Sequence, residues 1–115
     1  MLYENVLLKK TLSEWEVQQM VEKFGQGFKE NRLSTDDETS YVKTLLLSPF
    51  EHDHYSAIDF FNTVIRTKDM DSTETLDSYV GLIVGYIKIK DFDRALLNVE
   101  LCRQLKNWNA EQLER

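Results

Sequence analysis

The sequence YVGLIVGYIKIKDFDRALLNVELC runs from Tyr79 to Cys102 and repeats the stretch YVKTLLLSPFEHDHYSAIDFFNTV, Tyr41 to Val64, at an offset of 38 residues without a gap. The matching pairs are identical, or are apolar or small equivalents: Tyr41/Tyr79, Val42/Val80, Leu45/Ile83, Leu46/Val84, Asp53/Asp91, Ala57/Ala95, Ile58/Leu96, Phe61/Val99 and Val64/Cys102. A repeat of this length is typical of a stacked supersecondary unit, because one unit alone cannot bury its apolar face. The repeat therefore predicts a stack of similar units.

Helix start signals and apolar spacing indicate that these units are helical. Ser13–Glu16 and Thr35–Glu38 both have the capping-box pattern, in which residues three positions apart satisfy each other's backbone donors. Asp53 and Asp91 are predicted N-caps of two later helices, and Pro49, the only proline, is predicted to end the helix that begins at Thr35. The apolar residues that follow each cap recur with the 3.6-residue period of a helix.

These signals predict an all-α fold of about five to six helices, arranged as stacked antiparallel hairpins in a single domain over residues 1–115. Residues 2–33 are expected to form a degenerate N-terminal hairpin, residues 36–68 the first repeat and residues 73–106 the second. Residues 107–115 are expected to form a separate C-terminal turn or short helix capped by Asn109.

Composition excludes several classes of function. The chain has 115 residues, a formal charge of −6 and no clustered stripe of Lys and Arg, so nucleic-acid binding is not expected. No apolar run approaches the roughly 20 residues that span a bilayer, and the first residues lack the layout of a secretory signal. The single cysteine cannot form an internal disulfide. We therefore predict a cytoplasmic protein without membrane insertion.

No pattern in the chain predicts catalysis or metal binding. Glu51–His54 has ligand chemistry suited to zinc or nickel, but the chain has only two histidines and Asp53 is assigned to a helix cap. Cys102 occupies a repeat packing position, where a free cysteine behaves as a small hydrophobe. A phosphate-binding glycine loop, a nucleophile elbow and a zinc-protease motif are all missing from the sequence. We expect no enzyme, no cofactor and no metal.

The second copy resembles a tetratricopeptide repeat, which consists of two helices joined by a tight turn. The residues that carry the resemblance are Tyr79, Leu82, Tyr86, Asp91-Phe92 and Ala95. Ile83 stands where that family prefers a small residue, and Lys90 stands where it prefers glycine. The resemblance implies a helical-hairpin repeat that binds another polypeptide.

Size, acidity and repeat pattern also resemble the chaperones of type III secretion needle subunits. In this chain His54–Ile58, followed by the helix Tyr79–Tyr86, is similar to their arrangement of repeats. In that family the concave face holds an amphipathic helix of the needle protein, often with a second small helper protein, and prevents polymerisation before export. The resemblance implies a chaperone or co-chaperone in a hetero-oligomer with its client.

The first helix of each hairpin lines the concave surface in such repeats. Applied to this chain, the resemblance implies that the partner-binding residues are Thr39, Val42, Leu46 and Phe50 from one copy and Asp77, Val80, Val84, Ile87 and Lys88 from the other. An apolar groove with a polar rim suits an amphipathic helix. Three alternatives remain: packing of these residues in the chain's own core, a generic adaptor, and a self-associating subunit whose surplus apolar surface forms a homodimer interface.

Overall fold

The computed structural model describes residues 11–67 and 73–114, with side chains described from 11 to 67 and from 75 to 105. Over these residues the chain is all-α, with five helices and no strand. The helices are α1 (Glu14–Lys29), α2 (Thr35–Leu47), α3 (Glu51–Thr67), α4 (Thr73–Lys88) and α5 (Phe92–Glu114). The predicted fold class is confirmed. Residues 2–10 of the predicted N-terminal hairpin, and the predicted loop at 68–72, lie outside the described residues.

The helices form a stack in which each one packs against the next along the chain, with the broadest contacts between α3 and α4 and between α4 and α5. The connections are only a few residues long, so neighbouring helices run antiparallel. The stack therefore contains the hairpins α2/α3 and α4/α5. Helices α2 and α4, the first helices of the two hairpins, also contact each other.

The core lies where the two repeats meet. It contains Tyr41, Val42, Leu45, Leu46, Ala57 and Val84, and among these Leu46 and Ala57 have no exposed surface. Ala57 and its repeat mate Ala95 are both buried. Their small side chains allow the two helices of each hairpin to approach closely. The residues that match between the copies are therefore mainly core residues, as expected when a repeat is stabilised by stacking.

Two glycines determine how closely α4 packs on α3. A Cβ built on Gly81 would overlap the ring of Phe61, and a Cβ on Gly85 would stand 2.7 Å from Cγ1 of Ile58. Any larger residue at either position would push the helices apart. The spacing of four residues places both glycines on one face of α4, where they receive the large side chains of α3.

The structure confirms two of the predicted N-caps and places a third one residue earlier than predicted. Ser13 and Glu16 form a complete capping box at the start of α1. The Asp91 carboxylate accepts a hydrogen bond from the Arg94 N–H at 3.3 Å, which makes Asp91 the N-cap of α5. At α2, however, the cap is Ser34, whose hydroxyl accepts from the Asp37 N–H, so the predicted box at Thr35–Glu38 begins one residue too late.

Two of the described helices are each followed by a residue with a positive φ angle, in the left-handed region of backbone conformation. Asn31 after α1 has φ 57° and Lys90 after α4 has φ 65°. At α4 the Asp91 N–H donates to the Tyr86 carbonyl at 2.8 Å and the Lys90 N–H donates to the Ile87 carbonyl at 3.0 Å. This pair of bonds satisfies the last carbonyls of the helix and reverses the chain, usually with glycine at the left-handed position.

Helix α5 continues without a break to Glu114. The predicted separate turn over residues 107–115 and the predicted cap at Asn109 are therefore wrong, because the backbone stays helical across them. None of the helices in the described residues is long and apolar enough to cross a bilayer.

Candidate helix-binding groove

Four of the nine residues predicted to bind a partner lie in the chain's own core. Val42, Leu46, Val80 and Val84 are buried, and Val84 is only 1% exposed. Val84 packs in the cluster where α2, α3 and α4 meet. A partner would reach these side chains only if the helices around them separated.

The other five predicted residues lie towards the ends of α2 and α4 or, for Phe50, in the turn after α2. Thr39 and Asp77, which are repeat mates, are exposed, and Phe50, Ile87 and Lys88 are half-buried near the opposite helix ends. Partial burial lowers the pKa of the Lys88 ammonium, because the charged form loses hydration. The predicted set therefore does not form one continuous apolar surface.

Among the described residues, an open groove lies instead between α1, α2 and the start of α3. Its volume is about 520 Å³, within the range of roughly 300–1,000 Å³ that binding clefts usually have. Six of the residues that line it are apolar, and we call these its floor: Val17, Val21 and Phe28 from α1, Tyr41 and Leu45 from α2, and Phe50 before α3. Six further lining residues are polar, and we call these its rim: Glu14, Gln18, Lys29, His52, Asp53 and Ser56. Phe50 is the one predicted partner-binding residue that lines this groove.

Helix α1 supplies one wall of the groove because its apolar residues are only partly covered. Val17 is 3% exposed, whereas Val21, one turn later on the same face, is 41% exposed. Gly25 is buried beside the Tyr41 hydroxyl, with only about 3.4 Å between that oxygen and a Cβ built on the glycine. The ring of Phe28 stacks at a tilt on the ring of Tyr41, with centroids 4.9 Å apart. The groove floor thus contains both aromatic and aliphatic side chains.

A hydrogen-bond network in the turn before α3 holds the opposite wall. The Ser48 hydroxyl donates to the Asp53 carboxylate at 2.6 Å and accepts from the Phe50 N–H at 3.0 Å. Nε2 of His54 donates to the Ser48 carbonyl at 2.7 Å. Asp53 lies in the first turn of α3, which begins at Glu51, so its prediction as the N-cap is wrong. Its buried carboxylate accepts the Ser48 hydrogen bond and so connects the turn to α3.

Asp53 also affects the floor of the groove. Burial raises the pKa of the Tyr41 phenol, and the negative charge of Asp53 raises it further. Tyr41 therefore stays neutral across the physiological range and presents a neutral aromatic surface.

The turn at Glu51–His54 does not form a metal centre. His52 is exposed and its ring stacks on Phe50 with centroids 5.5 Å apart, while His54 points at the Ser48 carbonyl. Among the described residues no group of three or more His, Cys, Asp or Glu side chains could hold a metal ion. Cys102 is buried on α5.

Sequence reasoning missed the groove because it assigned the binding surface to the repeats alone. The apolar stripe of α1 is visible in the sequence, but the sequence does not show how much of that stripe α2 covers. It also missed the exposed apolar side chains of α5, which are Phe92, Leu96, Leu97 and Leu101.

Comparison of this chain with protein-family models, curated proteins and solved structures gives no match.

Proposed function

We propose that this protein binds an amphipathic helix of another protein in the groove between α1, α2 and the start of α3, and acts as a chaperone or co-chaperone for it. The observation that carries the proposal is the groove itself, with six apolar side chains in its floor and a polar rim. Such a site matches the two faces of an amphipathic helix.

The proposed contact involves about two turns of the client helix. Apolar residues at positions i, i+3, i+4 and i+7 of a client extend over roughly 10 Å along its axis. They would pack on Val21, Phe28 and Phe50, while the polar face of the client remains in water. The rim contains both Glu14 and Lys29, so client side chains of either charge find a complement.

The resemblance to needle-subunit chaperones supports a more specific client. A subunit that polymerises through an amphipathic helix is kept monomeric when a chaperone covers that helix. On this proposal the client is a type III secretion needle subunit, the complex is a hetero-oligomer, and it forms in the cytoplasm before export.

The binding step is tested with a fluorescently labelled amphipathic peptide of about 18 residues, roughly five helical turns, with Leu at i, i+3, i+4 and i+7. Anisotropy titration with the full chain is expected to show saturable binding. Val21→Glu should weaken it at least tenfold, about 1.4 kcal/mol, because a charge then enters the apolar floor. Leu97→Glu on α5 is the matched control, since Leu97 is exposed outside the groove. Equal affinities for the two variants would contradict the groove assignment.

The chaperone step needs a separate measurement. A needle subunit that polymerises is followed by light scattering, with and without an equimolar amount of this chain. Suppression by the wild-type chain and by Leu97→Glu, but not by Val21→Glu, supports the chaperone. Peptide binding without suppression indicates an adaptor instead.

A further inference from the structure

The Tyr41 hydroxyl lies in the floor of the groove and makes no hydrogen bond to any residue that the structure describes. Tyr41 is 6% exposed, and its oxygen lies beside Gly25, which lines the groove but has no polar side chain to offer. In the described part of the chain only Nδ1 of His54 is both completely buried and unpartnered, so the Tyr41 oxygen retains accessible surface. A buried phenol usually has a hydrogen-bond partner. This one is available to a group that enters the groove.

A carboxylate with spare acceptor capacity lies near this hydroxyl. The Asp53 side chain lines the same groove and is 12% exposed. Its Oδ2 accepts from the Ser48 hydroxyl, and its Oδ1 lies 3.3 Å from Nε2 of His52. An ionised carboxylate has about four acceptor positions, so some remain open. The negative charge of Asp53 raises the pKa of the Tyr41 phenol, which means that the two groups are neighbours, although no hydrogen bond joins them directly.

No Lys or Arg side chain pairs with Asp53 among the described residues. Its ion-pair neighbour there is His52, whose side chain is 78% exposed and is charged only when protonated. Two carboxylates, Glu14 and Asp53, and one ammonium, Lys29, line the groove, so its lining carries a net negative charge when His52 is neutral. No ion pair joins Lys29 to Asp53. A buried carboxylate is usually paired with a cation, and the described residues do not supply one at this position.

We propose that the client helix carries a Lys or Arg beside its apolar anchors, and that the N–H groups of this residue bridge the Tyr41 hydroxyl and the Asp53 carboxylate. The residue belongs to the client of the proposed function, so the proposal stands only if that client binds in this groove. The cation donates to the Tyr41 oxygen and to Oδ1 of Asp53, while Ser48 keeps its bond to Oδ2. Lys has three N–H donors and Arg has five, so either can bond to both acceptors. The apolar stem of the side chain packs on the floor of the groove.

Other side chains of a client fit these two acceptors less well. A carboxylate would be repelled by Asp53, and partial burial strengthens the repulsion because the effective dielectric constant is below that of water. A Ser or Thr hydroxyl has one proton and donates to only one of the two acceptors. The amide of Asn or Gln has two N–H groups but no charge, and hydrogen bonds between two charged groups are the stronger kind. The pair of acceptors therefore selects a basic residue.

The test uses the labelled peptide of about 18 residues with Leu at i, i+3, i+4 and i+7, into which one Lys is introduced at each position flanking the Leu stripe in turn. Each Lys peptide has a twin with Met at that position, a neutral side chain of similar length. Titrations with the full chain are made at about 0.15 M salt, which screens general attraction to the acidic surface. At one position, or at two positions one turn apart, Lys should bind at least about tenfold more tightly than Met. Equal affinities at every position would overturn the proposal.

Two variants of the chain identify the acceptors. Tyr41→Phe should lower the Lys/Met affinity ratio at that position at least about threefold, and Asp53→Asn should bring it below about twofold. The amide oxygen introduced by Asp53→Asn still accepts from Ser48, and a general loss of stability cancels because both peptides bind the same variant. Tyr55→Phe and Asp59→Asn are matched controls at exposed positions of α3 that do not line the groove, and they should keep the ratio within about twofold of the wild type. An unchanged ratio in Tyr41→Phe or in Asp53→Asn would overturn the proposal.

The Met peptides separate this proposal from the proposed function, because they test the groove without the basic residue. Val21→Glu should weaken binding of the Met peptides at least about tenfold. If the Met peptides bind and Lys gives no advantage, the groove assignment stands and the basic residue alone is refuted. If no peptide binds, the groove assignment is refuted and the basic residue with it.

Discussion

Replacing Gly85 by alanine should destabilise the fold, although alanine is the better helix former. Gly85 lies in the last turn of α4, where its backbone faces Ile58 of α3 and Leu46 of α2. A Cβ at this position would stand 2.7 Å from Cγ1 and 3.3 Å from Cδ1 of Ile58. Carbon atoms in optimal contact are about 3.5–4.0 Å apart, so α3 and α4 would have to separate by up to about 1 Å.

Two opposing terms decide the magnitude. Gly→Ala inside a helix favours folding by about 1 kcal/mol. Overpacking a closed core costs about 1–3 kcal/mol, and the upper part of that range applies because Ile58 is β-branched, buried and unable to move aside. We expect a net loss of about 1–2 kcal/mol in the free energy of unfolding.

The assay is urea unfolding followed by circular dichroism, with thermal unfolding as a second measurement. For a domain of this size the expected loss lowers Tm by about 4 °C per kcal/mol. Gly27→Ala is the matched control. A Cβ there would stand 2.8 Å from Cδ2 and 3.4 Å from Cγ of Leu33, near the flexible end of a half-buried side chain that can turn away. The control should be unchanged or up to about 1 kcal/mol more stable.

The reasoning is refuted if Gly85→Ala is as stable as the wild type, or if both glycine variants gain the same stability. Either result would mean that the free energy gained from higher helix propensity exceeds the cost of overpacking between α3 and α4.

Three further predictions concern the helix ends and the groove. Lys90→Gly should raise the free energy of unfolding, measured in urea, by about 0.5–1 kcal/mol. The reason is that a left-handed backbone costs an ordinary residue about 1–2 kcal/mol and costs glycine almost nothing. A less stable variant would contradict the backbone strain inferred at Lys90. Ser48→Ala should cost about 1–3 kcal/mol, since it leaves the buried Asp53 carboxylate without its hydroxyl donor, whereas Ser56→Ala at an exposed site should cost less than about 0.5 kcal/mol. Because the pKa of Tyr41 is raised in the fold, its neutral phenol stabilises the protein fully below the unfolded pKa of about 10, and that contribution is lost as pH rises through the folded pKa. Tyr41→Phe should therefore lose less stability than the wild type between about pH 9 and 11, and identical pH profiles would exclude Tyr41 as the cause.

Local signals in the sequence predicted most of the fold. The Ser13–Glu16 capping box and the Asp91 cap occur as predicted, because a cap depends on residues within one turn. The N-cap of α2 is Ser34 and not Thr35 because two neighbouring hydroxyl residues can both serve as the N-cap. This choice too is made within one turn of the chain. The continuous α5 was missed because Asn109 has cap chemistry but lies inside a helix that its neighbours continue.

The surface was harder to predict than the helices. Leu45–Leu47 and Leu82–Val84 are apolar around much of their helices, which suggested a binding face on α2 and α4. In the structure α4 lies between α3 and α5 and also contacts α2, so neighbouring helices cover its apolar sides. Leu96 looks equivalent in sequence to Ile58, but it lies on the last helix of the described stack and has no further helix beside it.

The sequence by itself determined the helices, the caps at Ser13 and Asp91 and the 38-residue unit that pairs the helices, because periodicity and capping act over one or two turns of chain. Only the tertiary structure decided which apolar residues are core and which remain open. The reason is that burial depends on the number of neighbouring helices, and equivalent positions such as Ile58 and Leu96 differ in that number. The open groove at α1 and the exposed apolar side chains of α5 are consequences of that difference.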